Sequence, residues 1–130
     1  MIIDSSALIA IIWLEDGNEK FVRKLAATRN SEISTSTLLE ARIVAQRSGF
    51  DGAESNLTAL VADHAIEIVP FSLSQQQIAA DAHRKYGRGS GHPARLNFGD
   101  CFAYALAKER GEPLLFKGKD FSETDIENAL

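Results

Sequence analysis

The sequence predicts an α/β fold: a three-layer sandwich in which helices cover both faces of a mainly parallel central sheet. Short apolar segments typical of strands alternate with helical segments along the chain. Several connections have the crossover length that parallel strands require. At 130 residues the chain is long enough for one hydrophobic core, so we expect residues 1–130 to form a single domain.

Strands and helices already alternate in the first half of the chain. Phe21, Val22 and Leu25 share a helical face, and Gly17 and Gly49 stand where helices are expected to end. The predicted elements are a strand at residues 2–3, a helix over 7–15, a helix capped by Asn18, a weak strand over 32–35, and helices over 38–47 and 53–64.

The second half continues the pattern around a glycine-rich loop at residues 87–93. Pro70 ends one predicted strand, and Gly111 ends the last long helix. We expect Ile126, in the tail, to return to an edge of the sheet. The predicted elements are a strand over 66–71, helices over 74–86 and 98–110, and a strand over 113–118.

The charge distribution limits how the chain can bind nucleic acid. Its net charge of −4 and pI of about 5.3 argue against non-specific coating of nucleic acid. Residues 83–95, however, contain four cations and no acid, and a second basic pair follows. Such a segment is either a solvated loop or a local binding site for a phosphate chain. The cations are Arg84, Lys85, Arg88 and Arg95 in residues 83–95, and Lys117 and Lys119 after them.

The sequence predicts a cytoplasmic protein that does not bind membranes. Cys101 is the single cysteine, so no intrachain disulfide is possible. The apolar run over 7–14 is too short to span a bilayer. It also lacks the preceding positive charge and the following cleavage site of a signal peptide.

Four acids occupy positions that parallel topology would bring to one edge of the sheet. Asp4 ends the first strand, Glu40 lies in the helix after the second, Asp100 opens the last helix, and Asp120 follows the last strand. In parallel sheets the functional crevice lies beyond the carboxyl ends of the strands. We therefore expect these carboxylates to converge.

Each acid also has a purely structural interpretation. Asp4 can cap the helix that follows it, and the Thr37-x-x-Glu40 spacing fits a capping box. Asn97 can cap the last helix, which would place Asp100 where the helix dipole favours a negative charge. Asp120 can belong to a turn. These interpretations do not explain why all four acids lie at the same predicted edge.

Convergence of four carboxylates would favour binding of a hard divalent cation. Two carboxylates about 4 Å apart repel by roughly 4 kcal/mol at an effective dielectric constant near 20. Oxygen donors without a histidine or cysteine cluster suit Mg²⁺ or Mn²⁺ better than zinc. Carboxylates that hold such ions commonly serve phosphoryl chemistry, in which water attacks a phosphate in line. The basic segment would then hold neighbouring phosphates.

The sequence resembles the PIN-domain ribonucleases over nearly its whole length, and among them the VapC-like toxins of toxin–antitoxin pairs. The resemblance is carried by "MIIDSSALIAI", "TSTLLEARIV" and "LNFGDCFAYALAKERGEPLLFKGKDFSETDI". It implies a PIN-like fold, RNA cleavage, an acidic pocket holding Mg²⁺ or Mn²⁺, a cognate antitoxin and a homodimer. Lys119 departs from the family pattern, in which a neutral residue usually precedes the fourth acid.

Carried over by motif, the resemblance implies a catalytic role for all four acids, with Asp4 and Asp100 as metal ligands. It further implies that Ser5 or Ser6 orients Asp4 or a water, and that Asn97 orders the rim of the pocket.

Two other functions are compatible with a small α/β chain that carries acids at strand ends. A phosphoacceptor signalling domain would need an acceptor aspartate after its middle strand, which we take to be residues 66–71, and none is present there. A non-catalytic binding module would have no need for all four acids. A metal-dependent endoribonuclease is therefore the preferred prediction.

Overall fold

The computed structural model describes residues 1–47 and 49–130. Its centre is a four-stranded sheet in which every pair of neighbouring strands is parallel. The order across the sheet is β3-β2-β1-β4, and Ile2 lies between Glu32 and Leu114. The strands are β1 (Ile2–Ile3), β2 (Glu32–Ser34), β3 (Glu67–Val69) and β4 (Leu114–Leu115).

Helices cover both faces of the sheet, which confirms the predicted three-layer α/β sandwich. Successive strand residues point to opposite faces. Ile3 and Leu115 join the core under α1 to α4, and Ile2 and Leu114 join the core under α5 and α6. The helices are α1 (Ser5–Ile12), α2 (Asn18–Ala27), α3 (Thr35–Arg47), α4 (Ala53–Asp63), α5 (Leu73–Tyr86) and α6 (Asp100–Arg110).

The first two helices differ from the prediction at their boundaries. Helix α1 begins at Ser5, directly after β1, because the Asp4 side chain caps it. The predicted capping role of Asn18 is wrong, since Asn18 is already helical and its side chain donates a hydrogen bond to the Glu15 carbonyl oxygen (2.9 Å). Of the three residues predicted to share a face of α2, Phe21 and Leu25 are buried and Val22 is exposed.

The predicted capping box at Thr37 and Glu40 is also wrong. Helix α3 begins at Thr35, so both residues lie inside the helix. Helix α5 begins at Leu73 instead of 74, because the Ser72 hydroxyl accepts a hydrogen bond from the backbone N–H of Gln75 (3.1 Å).

The C-terminal tail returns to the open edge of β4, as predicted, although through a different residue. Asn128 forms a parallel bridge with Leu114. Ile126 instead packs on the core under α5 and α6. Within the described ranges, no helix is both long and apolar enough to cross a membrane.

Candidate active site

Asp4 is buried at the carboxyl end of β1, with one carboxylate oxygen held and the other free. Its backbone N–H donates to the Leu115 carbonyl oxygen (2.9 Å), which ties it to β4. Oδ2 accepts hydrogen bonds from the backbone N–H (2.9 Å) and the hydroxyl of Ser6. Oδ1 is buried without a hydrogen-bond partner. A buried oxygen of this kind is costly unless something pairs with it.

Ser6 connects Asp4 to the segment that follows β4. Its hydroxyl donates to Asp4 Oδ2 and accepts a hydrogen bond from the backbone N–H of Lys117 (3.0 Å). The Ser6 side chain therefore fixes the Asp4 carboxylate relative to two strand ends. Burial, opposed by the Ser6 hydrogen bonds and reinforced by the nearby Glu40 charge, raises the pKa of Asp4 to about 6.

Glu40 reaches the same edge of the sheet from α3. The Ser5 hydroxyl donates to Glu40 Oε2 (2.9 Å), so the two serines after Asp4 each hold a different carboxylate. The carboxylate also lies against the backbone of Gly99, where an added Cβ would overlap with it. Gly99 is therefore required for the close approach of Glu40 to the start of α6.

Asp100 is the first residue of α6 and is 8% exposed. Its Oδ2 accepts a hydrogen bond from the backbone N–H of Asn97 (2.6 Å), and its own N–H donates to Asn97 Oδ1 (3.0 Å). These two hydrogen bonds join Asn97 to Asp100, and the predicted role of Asn97 in ordering the rim of the pocket stays a prediction. It also fixes Asp100 at the N-terminus of the helix, where a negative charge is favoured.

The charges of the other three predicted acids act on the carboxyl group of Asp100. Burial and, to a smaller extent, the charges of Asp4, Asp120 and Glu40 together raise the pKa of Asp100 to about 7, although the hydrogen bond from Asn97 acts to lower it. The predicted convergence of the four acids is thus seen in the pKa of Asp100, to which the other three acids contribute.

The four acids differ in how they are placed. Asp4 and Asp100 are buried, Glu40 is half-buried, and Asp120 is exposed in the bend after β4. Among the described residues, no three histidine, cysteine, aspartate or glutamate side chains form a ready-made metal-binding group. The site is therefore a buried carboxylate pair with two further acids within electrostatic range, and it is not a finished coordination shell.

The six predicted RNA-binding cations separate into two sets. Three already have partners: Arg84 pairs with Asp81 (2.7 Å), Lys117 pairs with Glu15, and the Lys85 ammonium lies 4.5 Å from the centre of a tyrosine ring. The other three line a cleft of about 370 Å³ that also contains Asp120. They are Arg88, Arg95 and Lys119.

The family of the chain follows from comparison with known proteins. The PIN domain family matches residues 1–127. This chain belongs to the PIN-domain family. It is 43% identical to ribonuclease VapC42 of Mycobacterium tuberculosis over 129 residues, which are 99% of this chain and 98% of the relative. It is 41% identical to ribonuclease VapC28 of the same organism over 130 residues, or 100% and 98% of the two chains.

Two solved structures share the fold of this chain. VapC20 of M. tuberculosis, described as a sarcin-ricin loop cleaving toxin, superposes with a TM-score of 0.77 at 17% identity, covering 96% of this chain and 95% of that one. VapBC2 of Rickettsia felis, bound to a DNA fragment from its promoter, gives a TM-score of 0.74 at 15% identity, covering 98% and 95%. These likenesses show the fold of this PIN-domain chain.

Sequence reasoning missed the part played by Gly99. The glycine directly before Asp100 offers a signal, because a residue without a side chain beside a functional acid is typical of close backbone approach. The partner that Gly99 approaches lies in α3, far away in sequence, so only the structure identifies it as Glu40.

Proposed function

We propose that residues 1–130 act as one PIN domain, an endoribonuclease that requires Mg²⁺ or Mn²⁺ and is the toxin of a toxin–antitoxin pair. The family relatives support ribonuclease activity, since VapC42 and VapC28 are ribonucleases. The observation that carries the proposal is the buried pair of Asp4 and Asp100, whose carboxyl pKa values are raised by burial and by neighbouring acids.

The chemistry of the site fits a hard divalent cation. Asp4 Oδ1 is buried and unpartnered, and the nearby donors are carboxylate oxygens. These features suit Mg²⁺ or Mn²⁺, which prefer oxygen ligands. Asp4 and Asp100 would hold the ion, with Glu40 and Asp120 supplying further negative charge. When bound, such an ion neutralises charge on the phosphate and lowers the pKa of water.

The chain's own residues position the acids for this role. Ser6 and the Lys117 backbone fix Oδ2 of Asp4 and leave Oδ1 available. Ser5 holds Glu40, and Asn97 holds Asp100. Near pH 6–7 without a cation, protons partly occupy Asp4 and Asp100. Cation binding must displace these protons, so cation affinity rises with pH.

Hydrolysis at this site uses water and does not need the ribose 2′-hydroxyl. We therefore propose that cleavage leaves a 5′-phosphate and a 3′-hydroxyl.

The proposed partners are a cognate antitoxin and a second copy of the chain, in the cytoplasm. One structural neighbour is a toxin–antitoxin complex from Klebsiella pneumoniae, and the R. felis neighbour is a VapBC assembly. Exposed apolar side chains on this chain are consistent with partner binding: Leu39 is 58% exposed and Phe98 is 79% exposed.

RNA cleavage by purified protein tests the proposal. We expect cleavage of total bacterial RNA with Mn²⁺, none with EDTA, and at least 100-fold slower cleavage by Asp4→Asn and Asp100→Asn, because each removes a ligand charge. Asp51→Asn, which changes an exposed acid away from the site, should cleave like the wild type. Full activity in EDTA, or 2′,3′-cyclic phosphate as the primary product end, would overturn the proposal.

The competing functions are less well supported. The sheet order corrects one premise of the signalling-domain alternative, because β3, taken as the middle strand, lies at the edge of the sheet. Family membership nevertheless favours the nuclease over a phosphoacceptor domain. RNA binding without cleavage, and without growth arrest on expression, would instead support a non-catalytic module.

A further inference from the structure

A cationic cleft lies beside the four acids, and its role goes beyond the chemistry assigned to them. The cleft encloses about 370 Å³ and contains three cations and two acids. It is lined by Arg88, Pro93, Ala94, Arg95, Lys119, Asp120 and Glu123.

Hydrogen bonds at both ends of the glycine-rich loop bring two of the cations together. The Arg88 backbone N–H donates to the Leu96 carbonyl oxygen (3.0 Å), and the Leu96 N–H donates to the Tyr86 carbonyl oxygen (2.9 Å). The Arg88 Nε also donates to the Arg95 carbonyl oxygen (3.4 Å). Residues seven apart in sequence thus face one cleft. The loop is therefore closed at its base, where Arg88 and Arg95 lie next to each other.

The backbone at Arg95 has a left-handed conformation. Its φ of +53° lies in the left-handed region, which residues with a side chain rarely adopt. Residues held in such conformations tend to occur at binding and active sites. Leu14 and Ala65 share this conformation, so the case for Arg95 rests on its place in the cleft beside Arg88, Lys119 and Asp120.

The cleft cations are available to a ligand. No ion pair in the described part of the chain uses Arg88, Arg95 or Lys119, whereas Arg84 and Lys117 are already paired. Asp120 and Glu123 offset part of the positive charge. Three cations against two acids still leave an excess of one positive charge.

The cleft is next to the buried acids. Asp120 lines the cleft and also acts electrostatically on Asp100. A phosphate held by the three cations would therefore lie next to the phosphate that is cleaved at the acids in the proposed function. Asp120 would thus lie between the cleft and the buried acids, which accounts for its exposed position.

We propose that Arg88, Arg95 and Lys119 form a subsite for a backbone phosphate of the RNA strand, next to the phosphate that is cleaved. The inference rests on the proposed ribonuclease function and names how that site holds its substrate. Because phosphate contacts position a strand without reading its bases, the subsite contributes to affinity for any RNA sequence. In cleavage kinetics, its loss should raise KM and change kcat little.

Binding measured without cleavage tests the subsite separately from the chemistry. The full-length Asp100→Asn protein, in EDTA, is titrated into a fluorescein-labelled twelve-residue oligouridylate, and anisotropy gives Kd between 50 and 300 mM KCl. We expect Arg88→Ala, Arg95→Ala and Lys119→Ala each to weaken binding about fivefold at low salt. Each should reduce the slope of log Kd against log salt by about 0.7.

Two controls separate the cleft from general charge effects. Arg23→Ala removes an exposed cation from α2, outside the cleft, and should leave Kd within twofold. Arg84→Ala removes a paired cation just before the loop and should change the slope by less than half as much as Arg95→Ala. Circular dichroism of every variant checks that it is folded, and Arg95→Lys, which keeps the charge, should bind like its parent.

Each outcome bears on a different claim. Equal losses for Arg84→Ala and Arg95→Ala would overturn the subsite in favour of a diffuse basic surface. If inorganic phosphate shifts the amide NMR signals of the loop while the cleft variants bind RNA normally, the cleft is a free-anion site and the proposal fails. RNA binding that depends on the cleft in a wild-type protein without nuclease activity would support the subsite and reject the proposed function.

Discussion

Replacing Asp100 with asparagine should stabilise the metal-free protein at high pH. The Asp100 carboxyl is buried, and its pKa is raised from 3.8 to about 7. The folded state therefore holds this proton more tightly than the unfolded state. The protonated carboxyl therefore stabilises the folded state. This contribution is fully present below pH 3.8 and is lost as the pH rises to about 7. Asparagine keeps an oxygen for the Asn97 N–H but carries no charge.

The size of the effect follows from the pKa difference. About three pKa units at about 1.4 kcal/mol each give a cost of about 4 kcal/mol for the ionised form at pH 8. At pH 5 the carboxyl is mostly protonated, and the cost falls to about 1.5 kcal/mol.

Urea unfolding in EDTA at pH 5 and pH 8 measures this difference. We expect Asp100→Asn to exceed the wild type in free energy of unfolding at pH 8, by up to about 4 kcal/mol, and by clearly less at pH 5. Asp51→Asn, at an exposed site, serves as the matched control and should change stability little. A destabilised Asp100→Asn protein, or a gain that is the same at both pH values, would refute the reasoning.

Three further substitutions test the supports of the site and the tail. Ser5→Ala removes the hydrogen bond to Glu40 and should cost about 1 kcal/mol in thermal unfolding, while cleavage slows; unchanged cleavage would contradict the positioning role. Gly99→Ala should displace the Glu40 carboxylate and slow cleavage at least tenfold with little change in Tm, and a normal rate would argue against the close approach. Although burial acts to raise it, hydrogen bonds led by that from Lys108 hold the pKa of Asp125 at about 2. Asp125→Asn should therefore lower Tm at pH 7, with the loss shrinking as the pH falls from about 4 towards 2; a loss independent of pH would reject this.

Local sequence patterns were sufficient to predict the architecture. Apolar pairs such as Ile2–Ile3 and Leu114–Leu115 alternate between the two faces of the sheet, and this pattern with intervening helices fixes a parallel three-layer sandwich. The convergence of the four acids followed from the topology, because carboxyl ends of parallel strands share one edge.

The errors arose at helix starts, where residue type and spacing do not identify the partner of a side chain. Asn18 fits a cap by residue type, yet its side chain bonds backward to Glu15. Thr37 and Glu40 have capping-box spacing, yet α3 starts earlier and Glu40 is held by Ser5 from another helix. Local spacing cannot distinguish these partners. Nor could the sequence show which cations were already neutralised by acids elsewhere in the chain.

Direct cation binding tests the central claim that the buried pair of Asp4 and Asp100 is a divalent-ion site. Isothermal titration calorimetry with Mn²⁺, at pH 8 on the full chain, should show binding that Asp4→Asn abolishes and Asp51→Asn preserves. The affinity should fall at pH 6, where protons compete for the two carboxyls. Equal Mn²⁺ binding by the wild type and Asp4→Asn would contradict the account.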